Sequence, residues 1–272
     1  MKFLTKFLGK PQQKANAPVN DTDDPIDATL AEINRLARLG LENPDEYRKY
    51  VNAEKIVRLI YPKYKFSEFG RIFLEDKSFQ EYYARFMDPN NWHSLDRKYV
   101  LNELLSLTDF LEGDFVECGV YQGATAYLLC AHGTKSQKLI HLFDSFEGIS
   151  EPNEFDGDYW TQGALSADLD SVKNNISEFD NYNAYVGWIP DKFHEVVNRR
   201  FCFVHIDVDL YEPTLESVKF FYPRLVRGGI LLFDDYGFNS CPGAKRAVDE
   251  YFAECVESVI KLPTGQAFVI KQ

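Results

Sequence analysis

The sequence has no apolar run approaching the roughly 20 residues that a membrane-spanning helix requires. Its first ten residues, Met1 to Lys10, interrupt their apolar positions with lysines and so lack the continuous stretch of a signal peptide. Basic residues are outnumbered, 30 Lys and Arg against 42 Asp and Glu, for a formal charge of -12. Such a surface repels phosphate backbones, which excludes nucleic acid as a partner. Cysteine is sparse: Cys118, Cys130, Cys202, Cys241 and Cys255 show no short paired spacing of the zinc or redox kind. Reduced thiols and a cytoplasmic location are the expectation. There is no internal repeat, and no pair of histidines joins a carboxylate at a strand end as an iron oxygenase would need.

What the chain does have is a hydrophobic fraction of 45% over 272 residues, ample for one core domain with an appendage. Residues 1–27 read as a flexible tail, because the Gln, Asn, Asp and Pro between Pro11 and Asp27 cannot offset ordering entropy with buried apolar area. Residues 28–95 read as a helical extension or cap. One helix carries Leu30, Ile33, Leu36 and Leu39, and a second carries Ile56, Val57 and Ile60. The aromatic-rich stretch from Tyr61 to Asn91 suits a cap, a partner contact or simple cover for the core. The extension is thus a candidate lid or homo-oligomer contact.

From residue 96 to residue 272 helices and strands alternate. Strands are expected at Phe115–Cys118, Leu139–Phe143, Ala184–Val186, Phe201–Ile206 and Ile230–Phe233, with helices between several of them, notably Ser171–Phe179 and Thr214–Tyr222. This alternation predicts a parallel sheet with helices on both faces. A helix over Gly243–Ala253, then strands near Val256–Lys261 and Ala267–Lys271, predicts an antiparallel hairpin closing the sheet.

Carboxylates gather where two of these strands end. Asp207 and Asp209 follow Phe201–Ile206, and Asp234 and Asp235 follow Ile230–Phe233. The carboxyl edge of an open α/β sheet is where ligands bind, and four acids placed there repel one another unless a cation sits between them. Taken alone, Asp234-Asp235 reads equally as a turn. Upstream, Glu117-Cys118-Gly119-Val120-Tyr121-Gln122-Gly123 ends a strand on an acid and turns through glycines into a helix, which lets backbone approach a ligand closely. The third glycine of a dinucleotide fingerprint is missing from its place. Asp144, ending the next strand, suits the paired hydroxyls of a ribose or a cap on the following turn. His205 and His141 read as core histidines, and Lys245 and Arg246 as a solvated helix face.

These strings, together with Asp144-Ser145-Phe146-Glu147-Gly148, His205-Ile206-Asp207-Val208-Asp209-Leu210-Tyr211, Gly228-Gly229, Asp234-Asp235-Tyr236 and the run from Pro242 to Glu250, resemble the macrocin O-methyltransferase family. The resemblance runs from about Tyr99 to the end, departing at Cys118 and at Val208, where glycine is common. It implies a class I methyltransferase fold, a Rossmann-like, mostly parallel sheet with an antiparallel C-terminal strand and helices on both faces. It implies S-adenosylmethionine as donor, a Mg2+ ion (or Mn2+ or Ca2+), and a hydroxyl of a sugar or other small polyhydroxylated molecule as acceptor, as in natural-product assembly. Carried over by position, Glu117, Gly119, Tyr121 and Gly123 border the donor, with Asp144 and Ser145 at its ribose. Ser166, Asp168 and Trp188 become candidates beside the adenine. Asp207, Asp234 and Asp235 are the implied metal ligands, with Asp207 and Asp209 catalytic and Asp209 the candidate base.

Methyl transfer from a sulfonium needs an acceptor oxygen held in line and deprotonated, which a hard cation and a carboxylate base can provide. Two other readings keep the fold: a metal-assisted hydrolase or hydroxylase, and a non-catalytic scaffold. The crowded acids oppose the scaffold. The unusual load of acids and aromatics over Glu154–Gln162 lies in the kind of loop that selects an acceptor.

Overall fold

The computed structural model describes residues 24–63 and 72–272. Residues 1–23 of the expected tail, and residues 64–71 of the aromatic-rich stretch, lie outside them. The chain divides between Lys77 and Ser78 into two compact units.

In the first unit, helices α1 (Pro25–Leu41) and α2 (Glu46–Ile60) pack together. Asp24 starts α1 three residues ahead of the expected apolar periodicity: its carboxylate accepts from the Ile26 amide, and Pro25 brings a preset φ to the first turn. Asp45 caps α2 in the same way through the Arg48 amide.

The second unit holds α3 (Lys77–Phe86), α4 (Leu95–Ser106) and then the alternation β1 (Asp114–Cys118), α5 (Ala124–Ser136), β2 (Ile140–Asp144), α6 (Leu169–Asn175), β3 (Tyr182–Val186), β4 (Phe201–Ile206), α7 (Tyr211–Phe221), β5 (Leu225–Phe233), α8 (Pro242–Phe252), β6 (Ile260–Lys261) and β7 (Ala267–Ile270). The seven strands form one sheet in the order β3-β2-β1-β4-β5-β7-β6. β1 to β5 run parallel, and β7 pairs antiparallel with β5 and with β6. This is the expected architecture, hairpin included.

All six residues of β4 are buried, which is why the central strands read as unbroken apolar runs rather than alternating ones. Phe143, Phe193, Phe201, Phe221 and Phe233 build much of the core on one face, with Phe193 and Phe221 centroids 4.7 Å apart. Each such ring contributes about 1.5–3 kcal/mol by leaving water. Strand order reverses at β1, whose neighbours are β2 on one side and β4 on the other. The crevice beyond the carboxyl ends of β1 and β4 is therefore the topological switch point, where open α/β sheets take their ligands.

Three local differences from expectation have physical reasons. β5 begins at Leu225 rather than Ile230, because Gly228 (φ 81) absorbs a register break in which Phe201 pairs Leu225 but Phe203 pairs Ile230. α6 is Leu169–Asn175, started by the Asp168 carboxylate and stopped short of Phe179. The segment after β4 is not extended: strict strand alternation would turn Asp207 and Asp209, two residues apart, to the same side, but Asp209 has φ 60 and leaves that geometry.

Candidate active site at the switch point

A single cavity opens at the carboxyl ends of β1, β2, β4 and β5, lined by Glu117, Gly119, Tyr121, Asp144, Ser145, Trp188, Asp207, Asp209 and Asp235 among others. Of the residues the sequence singled out, Gly123, Ser166, Asp168 and Asp234 lie outside this lining. Asp168 spends its carboxylate on the Ser171 amide (2.9 Å) and hydroxyl (2.8 Å) at the start of α6. Gly123 has φ 85 and begins α5. Asp234 sits just behind the cavity, fully buried.

The glycine-turn side is held by backbone. Gly119 (φ 86) passes so close to the β4 end that a Cβ there would lie 1.8 Å from the Asp207 carbonyl oxygen. Only glycine fits. Asp144 Oδ2 accepts from the Val120 amide (2.6 Å) and the Tyr121 amide (3.0 Å), and Oδ1 from the Phe146 amide (2.7 Å). The β2 carboxylate thus ties the turn after β1 to its own strand end. Glu117 is 1% exposed, and its Oε2 has no hydrogen-bond partner among the described residues. Burial lifts its pKa to about 7 against the opposing pull of His205. An orphaned carboxylate oxygen on a cavity wall fits a cationic ligand group.

The acidic side is organised differently. Asp234 accepts from Arg97, from Gln266 Nε2 (2.7 Å) and faces His205 Nε2 at 3.3 Å. Burial opposes its ionisation, but the Arg97 charge, the His205 bond and the Lys98 charge together outweigh burial and hold the carboxyl well below its usual range. His205 bridges the two sides, with Nδ1 3.5 Å from Glu117 Oε1. Burial disfavours its charged form, yet the bonds to Asp234 and Glu117 prevail and raise it to about 9. Asp207 lies 4.0 Å from Lys98 Nζ, which itself donates to Thr125 Oγ1 at 2.6 Å. Asp235 accepts the Asp209 amide at 2.9 Å, and Cys241 Sγ donates to Asp209 Oδ1 at 3.3 Å. Burial, then the Asp207 charge, brings Asp209 to about 7, while burial and the Asp209 charge push Asp235 well up.

Ligand atoms of His205, Asp207 and Asp234 lie within 4.8 Å of one another, as do those of Asp209, Asp235 and Cys241. The sequence-derived trio Asp207, Asp234 and Asp235 is therefore divided between two adjoining groups. Four carboxylates with raised or forcibly compensated ionisation make a donor set that fits a hard divalent cation.

Sequence reasoning missed Arg97, Lys98, Trp92, His93, Trp160, Cys241 and Gln266, all lining the cavity or holding Asp234. One signal was present: Arg97 and Lys98 put two positive charges in the first turn of α4, the wrong end of a helix dipole unless acids face them. His93 is pushed down to about 3 by burial, then Lys98 and Arg97, so its imidazole is neutral and its unpartnered Nε2 is available to a ligand.

Comparison with known proteins agrees with this geometry. The chain is 30% identical over 160 residues to the 8-demethyl-8-(2,3-dimethoxy-alpha-L-rhamnosyl)-tetracenomycin-C 4'-O-methyltransferase of Streptomyces olivaceus, 53% of this chain and 60% of that one. It is 31% identical over 157 residues to the demethyldecarbamoylnovobiocin O-methyltransferase of Streptomyces niveus, 52% of this chain and 59% of that one. The matches thus span about 60% of the length of these relatives. A crystal structure of a calicheamicin methyltransferase shares the fold, with a TM-score of 0.59 at 17% identity, covering 95% of this chain and 99% of that one. The family model for macrocin O-methyltransferase (TylF) matches residues 100–261, a span that takes in the strand ends, glycine turn and acids described above. The chain belongs to the macrocin O-methyltransferase family.

Proposed function

We propose that this protein is an S-adenosylmethionine-dependent O-methyltransferase that uses a divalent metal ion and methylates a hydroxyl of a sugar or similar polyhydroxylated molecule. The observation that carries the reading is that Glu117, Gly119 and Asp144 share one cavity with Asp207, Asp209 and Asp235. Family membership and the rhamnosyl substrate named for the Streptomyces olivaceus relative support the choice of donor and acceptor class.

When bound, the donor supplies an electrophilic methyl group and the ion a Lewis acid that lowers the pKa of a coordinated hydroxyl. Asp207, Asp234 and Asp235 would hold the ion, its charge replacing the repulsion among the acids. Arg97 is the competing partner of Asp234, and His205 and Gln266 fix that carboxylate from behind. Asp209 takes the hydroxyl proton on its carboxylate, and its pKa of about 7 suits a base working near neutrality. Glu117 Oε2, without a partner among the described residues, would accept from the donor's ammonium. Gly119, lacking a Cβ, lets the backbone approach the methionine portion, with Tyr121 and Gly123 in the same turn. Asp144 holds the turn and retains acceptor capacity for a ribose hydroxyl, beside Ser145. Trp188, which lines the cavity, would flank the adenine, and Ser166 and Asp168 remain candidates there on the strength of the resemblance alone. Residues 28–95 are assigned as a helical extension to a methyltransferase domain of residues 96–272, and the acidic surface and unpaired cysteines suit a cytoplasmic protein.

Calorimetric titration with S-adenosylhomocysteine, with and without Mg2+, followed by a methyl-transfer assay, tests the reading. The nucleoside should bind without metal, and transfer should require it. A protein that fails to bind S-adenosylhomocysteine is not this enzyme; transfer undiminished by EDTA removes the metal from the mechanism.

A further inference from the structure

The chain contains 3 tryptophans, Trp92, Trp160 and Trp188, and all of them line the one cavity. Trp188 follows β3 and sits with the donor residues. The other two face each other beside the acids: Trp92 and Trp160 centroids are 5.8 Å apart at 72°, and Tyr159 completes the group at 4.9 Å and 88° from Trp160. Near-perpendicular packing sets the edge of one ring against the face of the next and leaves the remaining faces open. Trp92 is 53% exposed and Tyr159 55%, an apolar surface whose exposure calls for a ligand when it rims a cavity that also holds carboxylates.

The corner is anchored on both sides to the carboxylates. Trp160 Nε1 donates to Cys241 Sγ at 3.4 Å, and Cys241 donates to Asp209 at 3.3 Å. The Trp92 carbonyl accepts from Arg97, which pairs with Asp234. The loop that carries Tyr159 and Trp160 is itself pinned: Asp156, 2% exposed, accepts the Asn153 amide at 2.8 Å and the Tyr211 amide at 2.6 Å. A Cβ on Gly243 would lie 1.9 Å from Asp156 Oδ1, so the start of α8 is glycine to admit this anchor. Phe155 meets Tyr211 at 4.8 Å and lies under Arg246 at 3.7 Å.

We infer that Trp92, Tyr159 and Trp160 form the acceptor subsite, an aromatic corner that seats a pyranose ring by its C–H face and turns its hydroxyl edge toward Asp209. A pyranose is the small molecule that combines an apolar face for aromatic π-surfaces with an edge of hydroxyls for carboxylates. Cys241 is a positioning residue: through one sulfur it sets the plane of Trp160 relative to the carboxylate of Asp209. The inference rests on the sugar-methylating reading above and names the residues that choose its substrate.

The test uses methyl α-L-rhamnopyranoside as probe with the full chain. In protein saturated with S-adenosylhomocysteine, the rhamnoside should change tryptophan fluorescence. Trp92→Leu and Trp160→Leu should each raise the rhamnoside KM about tenfold or more while S-adenosylhomocysteine affinity stays put. Trp160→Phe should keep most of the KM but lower kcat, and Cys241→Ser should restore more kcat than Cys241→Ala. Tyr159→Ala, at an exposed position outside the hydrogen-bonded anchors of the loop, repeats the KM test with the least disturbance to the fold. Transfer to the rhamnoside with KM unaltered in the Trp92, Tyr159 and Trp160 variants overturns the corner and leaves the methyltransferase reading standing. Nucleoside binding with no transfer and no fluorescence change defeats the sugar assignment and the corner together.

Discussion

The two sides of the cavity meet across β1 and β4 but are built on opposite principles. On the glycine-turn side Asp144 accepts three backbone amides, and the chain closes on itself with its hydrogen bonds made. On the acidic side Asp207, Asp209 and Asp235 carry raised pKa values, driven by burial and by one another. Only Asp234 is fully compensated, and its neutralising partner is Arg97 rather than an amide. One side is preorganised by backbone hydrogen bonds; the other holds unfavourable electrostatic energy until a ligand of opposite charge arrives. Substitutions that keep shape but change charge should therefore act in opposite directions on the two sides.

The largest effect is expected at the proposed base. Asp209→Asn should cut kcat by roughly 10²–10⁴-fold while leaving S-adenosylhomocysteine binding intact, since asparagine tolerates the left-handed backbone at this position as well as aspartate does. Single-turnover methyl transfer measures it, and near-normal turnover would move the base elsewhere. Next comes the glycine-turn side. Asp144→Asn puts an amide where an oxygen now accepts, so at least one backbone N–H loses its partner and unfolding free energy should fall by about 1–3 kcal/mol. Urea denaturation reads this, and an unchanged midpoint would mean that the turn after β1 does not depend on Asp144.

The contrast between the sides was only half legible in the sequence. The strands themselves, the hairpin and the strand ends that carry the acids followed from runs such as Phe201–Ile206, because a strand buried on both faces reads as an unbroken apolar run. The meeting of Asp207 and Asp209 with Asp235 followed too, since parallel neighbours end at the same edge. The pairing of charges did not. Arg97 reaches Asp234 across 137 positions of sequence, and Gln266 comes from the loop before β7, so the two positive charges at the start of α4 call for acids without saying which, and Gln266 has no local signature. Strand alternation misjudged Asp209 because its positive φ is enforced by the Asp235 carboxylate on its amide, a contact between two loops. Trp160 escaped for the same reason: its partner, Cys241, is 81 residues away.

A smaller, opposite effect is expected at Asp235. Asparagine there keeps an oxygen for the Asp209 amide but removes one of the mutually repelling charges, so the metal-free protein should gain about 0.5–2 kcal/mol of stability, as functional sites often do when their charges are relieved. Mg2+ should raise the Tm of the unsubstituted protein and leave that of this variant unchanged, because a ligand stabilises only the state that binds it. Destabilisation of metal-free Asp235→Asn would contradict the stored repulsion on which the comparison rests.

The smallest effect separates capping from donor contact at Asp168. Its carboxylate accepts the Ser171 amide and hydroxyl at the start of α6, it is exposed, and it stands outside the cavity lining. Asp168→Ala should lower Tm slightly by freeing a helix-terminal N–H, and leave S-adenosylhomocysteine affinity unchanged. If affinity falls instead while Tm holds, the loop from Leu165 to Asp168 folds over the nucleoside when it binds. The preorganised side of the cavity would then have a moving part of its own, and the difference between the two sides would be one of degree.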